Sequence, residues 1–129
     1  MEYIADTVTV IRHLSDSGEI GKHAKQILED TDKGKSIIYI SAITLAEVLY
    51  LSEKNRIKID LQDIKKKIIG SNNYRIIDLT FDIVEEAKSV KLNELHDRLI
   101  VATAKHFNLP ILTSDKIITD SKIVKVIWK

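Results

Sequence analysis

Five short apolar runs, separated by longer segments with helical spacing, restrict this chain more than any other feature. The runs are "EYIAD" (2–6), "SIIYIS" (36–41), "YRIIDL" (74–79), "PILTS" (110–114) and "IVKVIW" (123–128). A strand that is followed by a helix and then another strand returns parallel, and a parallel sheet must be covered on both faces. The expected class is therefore α/β. Between the runs, "IGKHAKQILED" places Ile20, Ala24, Ile27 and Leu28 on one helical face. "LQDIKKKIIG" does the same with Leu61, Ile64, Ile68 and Ile69, and ends at Gly70. "TFDIVEEAKSVKL" points Phe81, Ile83, Val84 and Ala87 inward. "AITLAEVLYLSEKN" is apolar on almost every side and reads as a helix buried all round. A further helix opens at about Asp97. "TVTVIRHL" can continue the first strand or turn into helix, because its β-branched residues serve both. "SDSGE" and "TDKGK" are loops, and Asp115 begins a short turn into the last strand. Pro110 stands at a strand start, where its missing N–H costs little. With no linker, repeat or low-complexity stretch, residues 1–129 read as one domain with its own core.

Several chemistries drop out on composition. The chain has no cysteine, so disulfides, zinc–thiolate sites and thiol nucleophiles are excluded. His13, His23, His96 and His106 show no paired ligand spacing, so a bound metal would rest on carboxylates, as Mg²⁺ or Mn²⁺ does. The net charge of +1 excludes a polybasic nucleic-acid binder; contact with RNA or DNA would need a local patch, a metal or a dimer groove. No run approaches the roughly 18 apolar residues of a membrane span. The first residues lack a basic leader, so no signal peptide and a cytoplasmic location are expected. Gly34-Lys35-Ser36 fails as a phosphate loop: Glu29 occupies the upstream glycine position and a strand follows instead of a helix.

Four acids fall where parallel α/β folds place their chemistry, around the carboxyl ends of strands. Asp6 ends the first run, Glu47 lies early in the helix after the second, Asp97 opens the helix before the fourth, and Asp115 follows the fourth. Each also has a structural reading. Asp6 can cap the next helix. Thr44 and Glu47 can form a capping box. Asp97 can complement a helix dipole, and Asp115 can start a turn with Lys116. As a set they are harder to explain that way. Glu47 sits among Ile43, Leu45, Ala46, Val48, Leu49 and Leu51 with no cationic residue within a helical turn. A charged carboxylate in such surroundings costs several kcal/mol unless it is paired. Gathered carboxylates repel and raise one another's pKa, and a divalent cation relieves that repulsion.

"YIADT", "SAITLAEVLYL", "LHDRLIVATAKHFNLPILTSD" and the final "VIW", in this order, resemble the PIN domain family, the small nuclease fold of VapC-type toxins. The resemblance covers essentially the whole chain. It implies a three-layer α/β/α sandwich around a five-stranded parallel sheet of order 3-2-1-4-5. It also implies that Asp6, Glu47, Asp97 and Asp115 act in metal-dependent RNA hydrolysis leaving a 5′-phosphate. Asp6, Asp97 and Asp115 would hold Mg²⁺ or Mn²⁺, and Glu47 would complete the metal shell or orient water. The implied partners are RNA, a small antitoxin and a second copy of the chain. Val8 departs from the family pattern, where Ser or Asn is frequent, leaving Thr7 or Thr9 to support Asp6. Thr113 can orient Asp115 through its hydroxyl or be a plain strand threonine. Arg98 can touch phosphate or form a local ion pair. Arg12, Lys33, Lys35 and Lys116 are further cationic candidates, although surface lysines mostly serve solvation. Asp120 reads as an exposed loop residue and His96 as a rim residue. Few aromatics argue against a broad base-stacking platform. Apolar surface near residues 42–51 and 61–69 offers a place for a second copy or an antitoxin peptide.

Two other functions compete. A receiver-like signalling domain would use Asp78 at the end of the third strand as phosphoacceptor and Thr113 after the fourth. It lacks the second acid after the first strand, and Lys125 lies inside the last strand where a free lysine is needed. A catalytically inactive PIN scaffold that only binds is the other. A haloacid-dehalogenase-type phosphatase is excluded, because its Asp-x-Asp would need an acid where Val8 stands.

Overall fold

The computed structural model describes residues 1–129. Along the chain the elements are β1 (Glu2–Ala5), α1 (Thr7–Ser15), α2 (Lys22–Asp32), β2 (Ile37–Ser41), α3 (Ala42–Glu53) and α4 (Leu61–Ile69). Then follow β3 (Tyr74–Ile77), α5 (Phe81–Ala87), α6 (Leu95–Phe107), β4 (Ile111–Leu112), α7 (Lys116–Ser121) and β5 (Val126–Ile127). The five strands form one parallel sheet in the order β3-β2-β1-β4-β5. This order overturns the receiver-like alternative. In that fold the order is 2-1-3-4-5 and the third strand is central, whereas here β3 is an edge and Asp78 is exposed beyond it.

Strand alternation divides the core in two. Tyr3, Ala5, Ile38, Ile40, Leu112 and Ile127 face one layer, where they meet Val10 of α1, Ala24, Ile27 and Leu28 of α2, Val48 of α3 and Ile64 of α4. Ile4 and Ile111 face the other layer, with Ile83 and Ala87 of α5, Leu99–Ala102 and Ala104 of α6, and Ile118 of α7. The layers are thus α1–α4, sheet, and α5–α7.

The ambiguous run "TVTVIRHL" is helix α1. Asp6 caps it by accepting the Thr9 N–H at 2.9 Å, and the Thr9 hydroxyl reaches across to the Leu112 carbonyl at 3.0 Å. The helix penalty of a β-branched residue is a few tenths of a kcal/mol, while burying Val10 returns roughly 1.5 kcal/mol or more. Tertiary burial therefore decides the conformation.

Four expectations need correction. Phe81 is 75% exposed and Val84 is exposed as well; only Ile83 and Ala87 of α5 point inward. Ile69 is 75% exposed, off the α4 face that buries Ile64. Helix α3 is not buried all round, because Ala46, Leu49 and Tyr50 lie open to solvent. The cap of α3 is Ser41, which accepts the Ile43 N–H at 3.2 Å, so Thr44 and Glu47 form no capping box. In each of the first three, apolar periodicity marks a face correctly but extends past what this chain alone covers.

Candidate active site

The carboxyl ends of β1 and β4 are neighbours, with Ala5 opposite Leu112. Asp6 and Thr113, the next residues, therefore meet. The Thr113 hydroxyl donates to Asp6 Oδ2, while Thr9 N–H occupies Oδ1, so both oxygens of this buried carboxylate are engaged. The same Thr113 oxygen accepts the Asp115 N–H at 3.0 Å. Thr113 is thus a link between two of the acids. Asp115 caps α7, a helix that sequence reading took for a turn, by accepting the Ile118 N–H at 2.9 Å.

Glu47 is held from a different side. The Thr7 hydroxyl donates to Glu47 Oε1 at 2.5 Å. That proton is then committed, so the Thr44 hydroxyl, 3.1 Å away, donates to the Thr7 oxygen. Thr7 consequently supports Glu47, and the expected support of Asp6 by its side chain is not formed; Thr113 and the Thr9 N–H provide it. Glu47 also lines a cavity of about 420 Å³ with Ala46, Tyr50, Leu51 and His96.

Asp97 lies in the first turn of α6, half-buried, and its carboxylate accepts no hydrogen bond. Its pKa is pushed up to about 6, first by burial and then by the negative charges of Asp115, Glu94, Asp6 and Glu47. All three other candidate acids thus act on Asp97. The fourth perturber, Glu94, was missed by sequence reading. It caps α6, accepting the Asp97 N–H at 2.7 Å and pairing with His96 at 2.8 Å. Burial works to raise its pKa, but the Asp97 and His96 hydrogen bonds and the His96 charge hold it below the ordinary value. Glutamate is not a favoured cap, so no local signal marked it.

Arg98 does not face the acids. Its Nη2 donates to the Ala87 carbonyl at the end of α5, at 2.9 Å, and its Nε is buried without an acceptor. Both expected roles, phosphate contact and ion pair, are corrected: the side chain is drawn into the α5–α6 junction. Lys116 and Asp120 are exposed.

The ion pairs of the protein join His13 and Lys67 to Asp32, and His96 to Glu94; none reaches Asp6, Glu47, Asp97 or Asp115. Four carboxylates without a countercharge suit a hard divalent cation by donor type and charge. They are not drawn to one point, however: no three of them stand close enough to share an ion as the side chains lie. The physical reason is visible in the bonds. Asp6, Glu47 and Asp115 are each turned toward a local hydroxyl or helix N–H, and only Asp97 is unengaged.

The PIN domain family model matches residues 3–122 of the chain. Comparison with curated protein sequences gives no match. Among solved structures, the chain is similar to VapBC2 from Rickettsia felis bound to a promoter DNA fragment, with TM-score 0.70 and 19% identity, covering 100% of both chains. A toxin–antitoxin complex from Klebsiella pneumoniae gives TM-score 0.66 and 26% identity, covering 97% of this chain and 95% of the other. The sarcin–ricin-loop-cleaving toxin VapC20 of Mycobacterium tuberculosis gives 0.67 and 15%, covering 96% and 98%.

Proposed function

Given that this chain belongs to the PIN domain family, we propose that it is a metal-dependent endoribonuclease, the toxin of a type II toxin–antitoxin pair, built as a single domain. The observation that carries this reading is the set of four carboxylates, Asp6, Glu47, Asp97 and Asp115, none of which is paired with a cationic side chain. The fold likeness to toxin chains, one of which cleaves RNA, supports the toxin assignment and the choice of RNA over other phosphodiesters.

In this mechanism Asp6, Asp97 and Asp115 would hold Mg²⁺ or Mn²⁺. When bound, the ion would supply Lewis acidity, acidifying the attacking water and offsetting phosphate charge. The chain's own residues do the positioning. Thr113 fixes Asp6 relative to Asp115 through one hydroxyl. Thr7, backed by Thr44, fixes Glu47, whose second oxygen is free to orient water. Water attacks phosphorus, the bond to the 3′-oxygen breaks, the leaving oxygen takes a proton, and the product carries a 5′-phosphate.

The exposed Leu49, Tyr50, Phe81 and Val84 support a second copy of the chain as a partner; light scattering showing a monomer at micromolar concentration would count against it. For the antitoxin, the check is whether a short gene beside this one encodes a protein that co-purifies with the chain. The decisive experiment is cleavage of an RNA substrate in Mn²⁺ and in chelator, wild type against Asp97→Asn. Cleavage by wild type in Mn²⁺ only, with a loss of at least about a hundredfold in the variant, is expected. Equal activity of the two proteins would remove Asp97 from the reaction.

A further inference from the structure

The proposed reaction asks a negative polymer to approach a negative pocket on a protein of net charge +1. Beside the acids lies a second cavity of about 650 Å³, on the free edge of β5. Thr113 and Ser114 are part of its lining, so the buried threonine that holds Asp6 forms a wall shared with the acid site. Lys116, Lys125 and Lys129 line it, together with His23 and Trp128, and no acidic residue does. None of the three lysines is ion-paired.

The wall carrying Trp128 is fixed by backbone. The Ala24 N–H donates to the Trp128 carbonyl at 3.1 Å, and a Cβ on Gly21 would lie 2.1 Å from that carbonyl oxygen. Only glycine at position 21 allows α2 to approach the last strand this closely. Trp128 is half-buried against the first core layer and lines both this cavity and a neighbouring one of about 530 Å³ that also includes Arg12, Glu19 and Gly21.

We propose that this cavity is the subsite for the RNA strand flanking the scissile phosphate: the lysines take its neighbouring phosphates and Trp128 stacks on a base. Unpaired lysines gain by releasing counterions from a phosphate chain, and a fixed aromatic ring stacks on any base. An acid-free cationic cavity that shares Thr113 with the acids gives the strand a path to the reaction centre without crossing the negative patch. The assignment rests on the ribonuclease reading, and it covers residues which that reading does not otherwise use: His23, Lys125, Trp128 and Lys129.

The test measures binding of a fluorescein-labelled single-stranded RNA to the full chain in chelator, by anisotropy, across a salt series. The variant Lys116→Gln/Lys125→Gln/Lys129→Gln is compared with Lys58→Gln/Lys65→Gln/Lys66→Gln, which removes the same charge from exposed positions around α4. Circular dichroism confirms folding of both. The first variant should bind at least about tenfold more weakly, with a log–log salt slope shallower by about 2, since each single-strand phosphate contact contributes about 0.7. The second should change affinity by less than about threefold. Trp128 is the single tryptophan, so unlabelled RNA should quench the intrinsic tryptophan fluorescence of the wild type. Equal weakening by both variants, unchanged binding by the first, or saturation without quenching would overturn the subsite. The two readings separate cleanly. RNA that binds and quenches but is never cut in Mn²⁺ leaves the subsite and removes the nuclease; RNA that is cut equally well by wild type and the first variant does the reverse.

Discussion

Replacing Asp97 with asparagine should stabilise the metal-free protein, and the amount follows from its surroundings. Burial and four neighbouring carboxylates raise its pKa from 3.8 to about 6. The folded state therefore holds this proton in a range where the unfolded chain has released it. Stability is retained below pH 3.8 and declines as pH rises toward 6, with the full cost present above that. Two pKa units correspond to nearly 3 kcal/mol at full weight. Asp97 is only half-buried, and solvent screening reduces this to about 1 kcal/mol. Asparagine has similar size and no charge. In chelator at pH 7.5 the variant should show a urea midpoint higher by about 0.5 M, for a slope near 2 kcal/mol/M. At pH 3.5 the difference should vanish. Added Mn²⁺ should reverse the order, because ligand binding stabilises the wild type preferentially. An asparagine variant equal to or weaker than wild type at pH 7.5 in chelator would refute the claim that the neighbouring carboxylates strain Asp97. An advantage that persists undiminished at pH 3.5 would refute the electrostatic cause.

Further substitutions at four positions test the bonds around the site and the core. Thr113→Val leaves a buried oxygen of Asp6 without its donor and should cost about 1–3 kcal/mol in urea unfolding, with RNA cleavage falling at least about tenfold, while Thr113→Ser retains both. Arg98→Ala removes the bond to the Ala87 carbonyl and should lower stability yet leave the salt slope of RNA binding unchanged; a shallower slope would restore the phosphate role. Ile64→Ala should cost about 2–5 kcal/mol and Ile69→Ala less than about 0.5 kcal/mol in the monomeric state, because only the first is enclosed.

The sequence was legible wherever a local rule and the tertiary structure ask for the same thing. Strand runs, the α2 face and the Ile64 face are of this kind, since periodicity reports burial directly. The strand order is not local and came only through family resemblance. Helix α7 was overlooked because six residues carry too little periodicity, although the Asp115 cap was a usable mark. The face carrying Phe81 and Val84 was assigned inward for a different reason, while Leu49 and Tyr50 lie where exposed apolar surface was expected, near residues 42–51. Apolar spacing states that a face should be covered, not whether this chain or another does so. At the site, residue types could be read but bond partners could not. Whether Thr7 serves Asp6 or Glu47 depends on how α1 and α3 cross, and Arg98 turns inward because α5 ends beneath it.

The structural and chemical readings of the acids are less opposed than residue-by-residue weighing makes them. Asp6 and Asp115 do cap helices, and Asp97 does sit in a first turn, as the bland readings require. In a parallel sheet every crossover helix that starts at the carboxyl edge points its positive end there, so capping itself gathers carboxylates at one edge. Each helix end offsets about half a charge and contributes roughly 0.3–1 kcal/mol. The four ends beside these acids, of α1, α3, α6 and α7, offset about two charges in all and cannot neutralise four carboxylates. The residual charge must weigh on whichever acid is least compensated by hydrogen bonds. That acid is Asp97, which accepts none and carries the raised pKa. The caps therefore explain how the carboxylates come together, and the unsatisfied Asp97 shows that capping does not exhaust their charge.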